Sequence, residues 1–174
     1  MKGARLPAST TTAGALAIFD ESAPVSIEEM IGEWRGAGLH TAHPMDGLLE
    51  RYGWYGKAFI DPETVHPLLF STRGATPVAL DPRLMLIEWV WNKRFAHRAI
   101  IAALFGAVRP LLQTAKPRAR LRMLSHRGVV SATMVYDHLP INDVFRRVDG
   151  NTLIGLMDMR GMSAPFFFVL RRER

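Results

Sequence analysis

A tryptophan set among glycines, Gly32-Glu33-Trp34-Arg35-Gly36-Ala37-Gly38, constrains this chain more than any other stretch. Glycine has no Cβ, so a run in which it recurs suits bulges, sharp turns and places where another segment crosses close to the backbone. A large flat indole in such a frame is suited to plug one end of a closed antiparallel barrel. The chain ends in Phe166-Phe167-Phe168-Val169-Leu170-Arg171-Arg172, a strand-like apolar run followed by arginines. Arg171 or Arg172, on this last strand, is placed to stack over Trp34 on the first, a cation–π contact worth about 0.5–2 kcal/mol. A contact of this kind closes the sheet. The competing expectation is an ordinary core tryptophan with a solvated basic tail.

From Arg118 the pattern has a period of two: Arg118, Arg120 and Arg122 alternate with Ala119, Leu121 and Met123. One face of the strand is therefore charged and the other apolar. Arg127-Gly128 turns the chain into a strand over 129–136, and further strands are predicted at 143–148, 152–159 and 166–171. Asp149-Gly150-Asn151 is a hairpin turn, because Gly and Asn tolerate positive φ. Short strands joined by tight turns predict a meander that closes on itself. Upstream, Ser26 with Glu29 three residues later predicts a capped short helix. Met45 to Arg51 predicts two more helical turns, and strands are predicted at 54–60, 65–71 and 77–80. Residues 83–114 differ, with apolar residues at three- and four-residue spacings that predict helix, broken near Gly106 and Pro110.

Several blocks resemble a known family. Gly32-x-Trp34-x-Gly36 resembles the motif that names the bacterial GXWXG family. Pro117-Arg118-Ala119-Arg120-Leu121-Arg122, Met134 to Ile141, Phe145 to Asp149, Leu153 to Asp158 and Pro165 to Phe168 resemble the C-terminal domain of unknown function that accompanies it. The likeness runs from about residue 27 to 172. The G-x-W element is also similar to the first-strand signature of lipocalins, fatty-acid-binding proteins and nitrobindins, whose barrels bind apolar ligands or haem. One departure stands out: Val144 occupies the position, just before Phe145, where the family is expected to carry histidine.

The resulting expectation is an α+β, mainly β chain, a lipocalin-like antiparallel barrel or strongly curved sheet with a long helical insertion. Residues 1–25 are expected as a flexible lead, within which Ala15 to Glu21 predicts a short helix halted by Pro24, and 26–174 as one barrel-like domain. Within it, 26–80 hold the glycine-tryptophan strands and short helices, 81–115 the insertion, and 116–174 the C-terminal strands. At 174 residues the chain is long enough to bury a substantial core, and 48% apolar and 22% charged residues are ordinary for a globular protein. There is no Cys, so disulfides and thiolate metal sites are excluded, in keeping with a reducing compartment. The N-terminus lacks an apolar signal core and no apolar run is long enough to span a bilayer, so the expected location is cytoplasmic. The net charge of +6 is spread along the chain without a nucleic-acid-binding motif, so nucleic acid is not an expected partner.

The expected function is binding of a small hydrophobic or amphipathic molecule, a lipid or apolar metabolite, in a cavity lined by Trp34, Trp54, Tyr136, Phe145, Phe166 and Phe168. Arg122, with Arg120, is a candidate partner for a ligand carboxylate. The alternative is a cofactor-independent enzyme, an isomerase, cyclase or hydrolase, in which Asp158 or Asp143 acts as acid or base beside Tyr136. A further alternative is a membrane-peripheral protein docking through residues 95–112, whose apolar stretch has Lys93, Arg94, Arg98 and Arg109 on its flanks. No metal site is expected, since the six histidines have no zinc-like spacing. No cofactor is predicted; His138, beside Tyr136 and Asp137, is the candidate should the barrel carry haem. The oligomeric state is left open.

Overall fold

The computed structural model describes residues 6–72, 75–85 and 99–173. Ten strands make one antiparallel sheet: β1 (Ala23–Pro24), β2 (Gly32–Gly38), β3 (Trp54–Phe59), β4 (Val65–Thr72), β5 (Ala75–Ala79), β6 (Ala119–His126), β7 (Val129–Tyr136), β8 (Ile141–Asp149), β9 (Thr152–Met159) and β10 (Phe166–Arg172). Eight of them close into a barrel in the order β8-β7-β6-β4-β3-β2-β10-β9, with β9 pairing back to β8. The glycine-tryptophan strand β2 pairs directly with the terminal strand β10, which sets Trp34 opposite Arg172. Closure removes the exposed sheet edges that an open meander would leave.

The turns form where their sequences require them. At the β6–β7 hairpin Arg127 and Gly128 both take positive φ, 51° and 77°. At the β8–β9 hairpin the Asp149 carboxylate accepts the Asn151 N–H at 2.8 Å. The Ser26–Glu29 capping box also forms, and opens the short helix α2 (Ile27–Met30).

The short helix expected at Ala15 to Glu21 forms and starts three residues earlier, inside the segment expected to be flexible. Residues 12–21 form α1 (Thr12–Glu21), whose N-cap Thr11 accepts the Gly14 N–H at 3.0 Å. Its buried Ala15 and Phe19 pack on Val144, Ile154, Leu156, Phe167 and Val169, the outward side chains of β8, β9 and β10. The strands of this barrel wall are apolar on both faces, and the outer face needs a cover. The Arg146 guanidinium, itself buried, lies 4.8 Å from the Phe19 ring centroid and donates to the His126 and Val129 carbonyls, tying α1 down.

The insertion is described at its two stems. A 3₁₀ turn at Pro82–Met85 leaves the barrel, and α4 (Ala99–Val108) followed by a 3₁₀ turn at Arg109–Leu112 returns to it. The helix runs through Gly106, and the α-helical stretch ends just before Pro110, which lacks an N–H to donate. The predicted helix over 86–98, with Trp91, Lys93, Arg94 and Arg98, lies outside the described residues. The stems are cross-linked: Leu80 bridges Gln113, the Asp81 N–H donates to the Leu112 carbonyl at 2.8 Å, and the Thr114 N–H donates to the Ala79 carbonyl at 3.0 Å. The Asp81 carboxylate takes both Arg83 and Arg118, at 2.8 and 2.6 Å. No helix among the described residues is long and apolar enough to cross a membrane.

Candidate functional site

The barrel interior is one aromatic cluster holding a buried ion pair. Trp34, Trp54, Tyr136, Phe145, Phe166 and Phe168, the residues expected to line it, all belong to it. They touch edge to face: Trp54–Phe168 centroids are 5.9 Å apart, Phe145–Phe168 6.1 Å and Phe59–Phe145 5.7 Å. Two glycines make this packing possible. A Cβ at Gly36 would lie 2.2 Å from the Trp54 ring, and one at Gly155 would lie 2.3 Å from the Phe168 ring.

One end of the interior is plugged as the sequence implies. The Arg172 guanidinium lies 4.2 Å from the centroid of the Trp34 ring and donates to the Ile31 carbonyl at 2.8 Å and to the Glu29 carbonyl. The Trp34 indole N–H donates to the Met30 carbonyl at 2.7 Å. Both partners are thereby fixed to α2 and the residue that follows it. Arg171, one residue earlier, is exposed on the opposite face of β10 and takes no part.

The ion pair is Lys57 with Asp143, Nζ to Oδ2 at 2.8 Å, both side chains almost wholly buried. Lys57 stands on β3 and Asp143 on β8, four strand steps apart whichever way the barrel is followed. The pair therefore spans the lumen. Lys57 also donates to the Pro67 carbonyl at 3.1 Å, and its ammonium lies 5.0 Å from the Phe168 ring, 5.6 Å from Trp54 and 5.9 Å from Tyr136. Burial pushes the Asp143 carboxyl up, and Lys57 pulls it back only in part. Burial and the neighbouring Asp143 push the Tyr136 hydroxyl well above its ordinary value.

Lys57 has no counterpart among the residues expected from the sequence. A period-two reading of Trp54-Tyr55-Gly56-Lys57-Ala58-Phe59 puts Trp54 and Lys57 on opposite faces. The pairing of β3 with β4 slips on either side of Gly56, a bulge, so Trp54 and Lys57 both point inward. Gly56 has φ 155°, and a Cβ there would lie 1.8 Å from the Trp34 carbonyl oxygen. That glycine, next to an aromatic dipeptide on a short strand, is the local signal for the bulge.

The other candidates lie elsewhere. Asp158 is exposed on the outer face of β9, because alternation turns it away from the inward-facing Met157. A buried acid at that position is thereby corrected. Arg122 faces outward and pairs with Glu63 at 2.8 Å, and Arg120 pairs with Asp137 at 2.9 Å. Neither reaches the interior. Val144 points outward beneath α1, so the position that departs from the family pattern faces away from the lumen. His138 is exposed on the β7–β8 turn, a placement that does not fit an axial ligand to a haem inside the barrel. No group of three or more His, Asp or Glu is placed to hold a metal ion among the described residues.

Two helices pack at one end of the barrel. α3 (Leu48–Arg51) buries Leu48 and Leu49, and Glu50 accepts the Gly38 N–H at 2.7 Å. Phe105 of α4 meets Tyr52 at 5.0 Å and Phe70 at 5.6 Å, while Leu104, Val108 and Leu111 are exposed, Leu111 by 80%. Within the interior cluster Trp54 and Tyr136 keep the most exposure, 8% and 7%. A separate hollow of about 570 Å³ opens by the loops around His43 and Met162.

A closed eight-stranded antiparallel barrel, plugged by Trp34 and Arg172 and crossed by an ion pair, defines a protein of the calycin-like barrel class. The chain carries a GXWXG region followed by a DUF4334 domain in its C-terminal part. The GXWXG protein model matches residues 17–74, and the domain of unknown function DUF4334 matches residues 117–172. A crystal structure of a protein from Thermomonospora curvata is 30% identical and superposes with a TM-score of 0.71. The match covers 96% of this chain and 91% of that one. No curated protein matches the chain.

Proposed function

We propose that the protein binds a small hydrophobic or amphipathic molecule inside the barrel, next to Trp54 and Tyr136 and above the Lys57–Asp143 bar. The supporting observation is that bar itself. An ion pair buried in an aromatic interior is costly to desolvate and contributes little net stability compared with apolar residues of the same volume. Its retention is understandable where it orients a ligand's polar end against apolar walls. In this reading Phe105 of α4, in contact with Tyr52 and Phe70, covers the entrance. Entry of a ligand then requires α4 to shift.

The test is native mass spectrometry of freshly purified protein, with organic extraction of what co-purifies and titration with Nile red as a neutral apolar probe. An apolar metabolite in the extract, or saturable probe binding that Trp54→Ala removes, is the expected result. Protein that is empty and does not bind the probe overturns the reading.

A second reading is favoured by the raised carboxyl of Asp143 beside the Tyr136 hydroxyl. A buried acid that holds its proton at higher pH can move a proton to or from a bound molecule. The protein would then be a cofactor-independent isomerase, cyclase or hydrolase. Asp143→Asn that retains ligand and loses turnover supports this; unchanged turnover removes it.

A further inference from the structure

The geometry points to a ligand whose polar end is neutral and both donates and accepts hydrogen bonds, a hydroxyl group in the simplest case, seated between Asp143 Oδ1 and the Trp54 indole N–H. This rests on the barrel-ligand reading above and narrows it to a chemical class.

The interior contains polar atoms that the protein leaves unmatched. Asp143 Oδ2 takes Lys57, but Asp143 Oδ1 is buried with no hydrogen-bond partner. The Trp54 indole N–H is likewise buried without a partner. Both belong to residues at least nine-tenths buried, at 1% and 8% exposure. The Tyr136 ring belongs to the same aromatic cluster, 5.9 Å from the Lys57 ammonium. Lys57 Nζ lies within 6 Å of the Trp54 and Tyr136 ring centroids and bonds to Asp143, so these side chains gather round the one ammonium. Buried polar groups in folded proteins are almost always satisfied, so two unmatched ones in the same aromatic interior are read as the place of something that supplies the bonds.

Their chemistry specifies what fits. Asp143 Oδ1 can only accept, and the Trp54 N–H can only donate. A hydroxyl carries the matching donor and acceptor on a single oxygen, and Tyr136 adds a second donor or acceptor. A carboxylate fits badly, because the Lys57 charge is already balanced by Asp143. The arginines on β6 and just before it are engaged outside the lumen, Arg118 with Asp81 and Arg122 with Glu63. An anion placed here would be uncompensated in a low-dielectric interior. A cation would meet aromatic rings that the Lys57 ammonium already faces. Neutrality and a donor are what remain.

The experiment is a set of competition titrations against Nile red using decan-1-ol, methyl decanoate and decanoate, which share chain length and differ in the head. The alcohol is expected to bind about tenfold more tightly than the ester, which cannot donate to Asp143, and more tightly still than the anion. In Asp143→Asn the Lys57 charge is released, so the order is expected to invert, with decanoate gaining at least tenfold over the alcohol. Should that variant fail to fold, the charge-free double variant Lys57→Met/Asp143→Leu serves, and is expected to bind alcohol and ester equally. Wild-type protein that binds all three alike, or prefers the carboxylate, overturns this inference and leaves the barrel-ligand reading standing. Protein that binds neither Nile red nor any of the three overturns both.

Discussion

Lys57 and Asp143 leave diametrically opposite strands of the barrel and meet at 2.8 Å, so a single ion pair joins the two walls across the lumen. Removing one partner strands the other as a buried charge. Lys57→Met is expected to cost about 3–5 kcal/mol, whereas Lys57→Met/Asp143→Leu is expected to recover most of that loss. Guanidinium unfolding of the three proteins measures both. A double variant no more stable than Lys57→Met would show that the pair contributes net stability.

The same variant has a pH signature. Asp143 is pushed above 3.8 by burial, and in Lys57→Met nothing from Lys57 pulls it back. The folded state then keeps its proton at pH values where the unfolded chain has released it, so the folded state binds more protons. Stability of Lys57→Met is therefore expected to fall as pH rises from about 4 through the folded value, measured by unfolding at a series of pH values.

The Trp34 plug depends on Arg172 and not on its neighbour. Arg172→Met removes the stack on the indole and the bonds to the Ile31 and Glu29 carbonyls, for an expected loss of about 1–3 kcal/mol. Arg171→Met, on the exposed face, is expected to stay within about 0.5 kcal/mol of the parent. Equal losses from the two would mean that the contact contributes nothing specific.

Gly36 and Gly155 reserve space for rings. Ala at either position sets a methyl group inside the Trp54 or the Phe168 ring, which must turn away. Each substitution is expected to cost about 1–3 kcal/mol and to change the near-ultraviolet circular dichroism of the aromatic cluster.

Asp81 holds the neck of the insertion. Burial works to raise its carboxyl, but hydrogen bonds from Arg83 and Arg118 outweigh it and bring the group down to about 2. The unfolded chain takes up the proton first as pH falls, so this contribution, about 2 kcal/mol, is complete above about pH 4 and is lost as pH falls through 2. Asp81→Asn is expected to flatten the acid limb of the stability curve over that window and to speed amide exchange at Thr114. Asp158→Asn, by contrast, alters only an exposed carboxylate and is expected to leave stability and probe binding unchanged.

Period-two patterning, the Arg127-Gly128 and Asp149-Gly150-Asn151 turns and the Ser26–Glu29 box are local signals, and each forms what it predicts. The meeting of Trp34 with a terminal arginine was also legible, because a glycine-rich first strand and an aromatic last strand have few ways to close a sheet. Alternation alone then separates Arg172 from Arg171. The interior site was only half legible. Asp143 and Tyr136 stand out as polar residues on apolar strands, but Asp158 looks much the same in sequence and faces water. Lys57 was hidden because the bulge at Gly56 changes the phase of β3, and a periodicity count assumes that phase is constant.

By itself, then, the sequence determined the elements, the turns and the closing of the barrel, because those follow from side-chain alternation and backbone preference over a few residues. Only the tertiary structure decided that a lysine and an aspartate 86 residues apart share the lumen and leave a carboxylate oxygen and an indole N–H unmatched beside it. Such a pairing depends on strand order around the barrel and on one shift of register, and neither is encoded within any single strand.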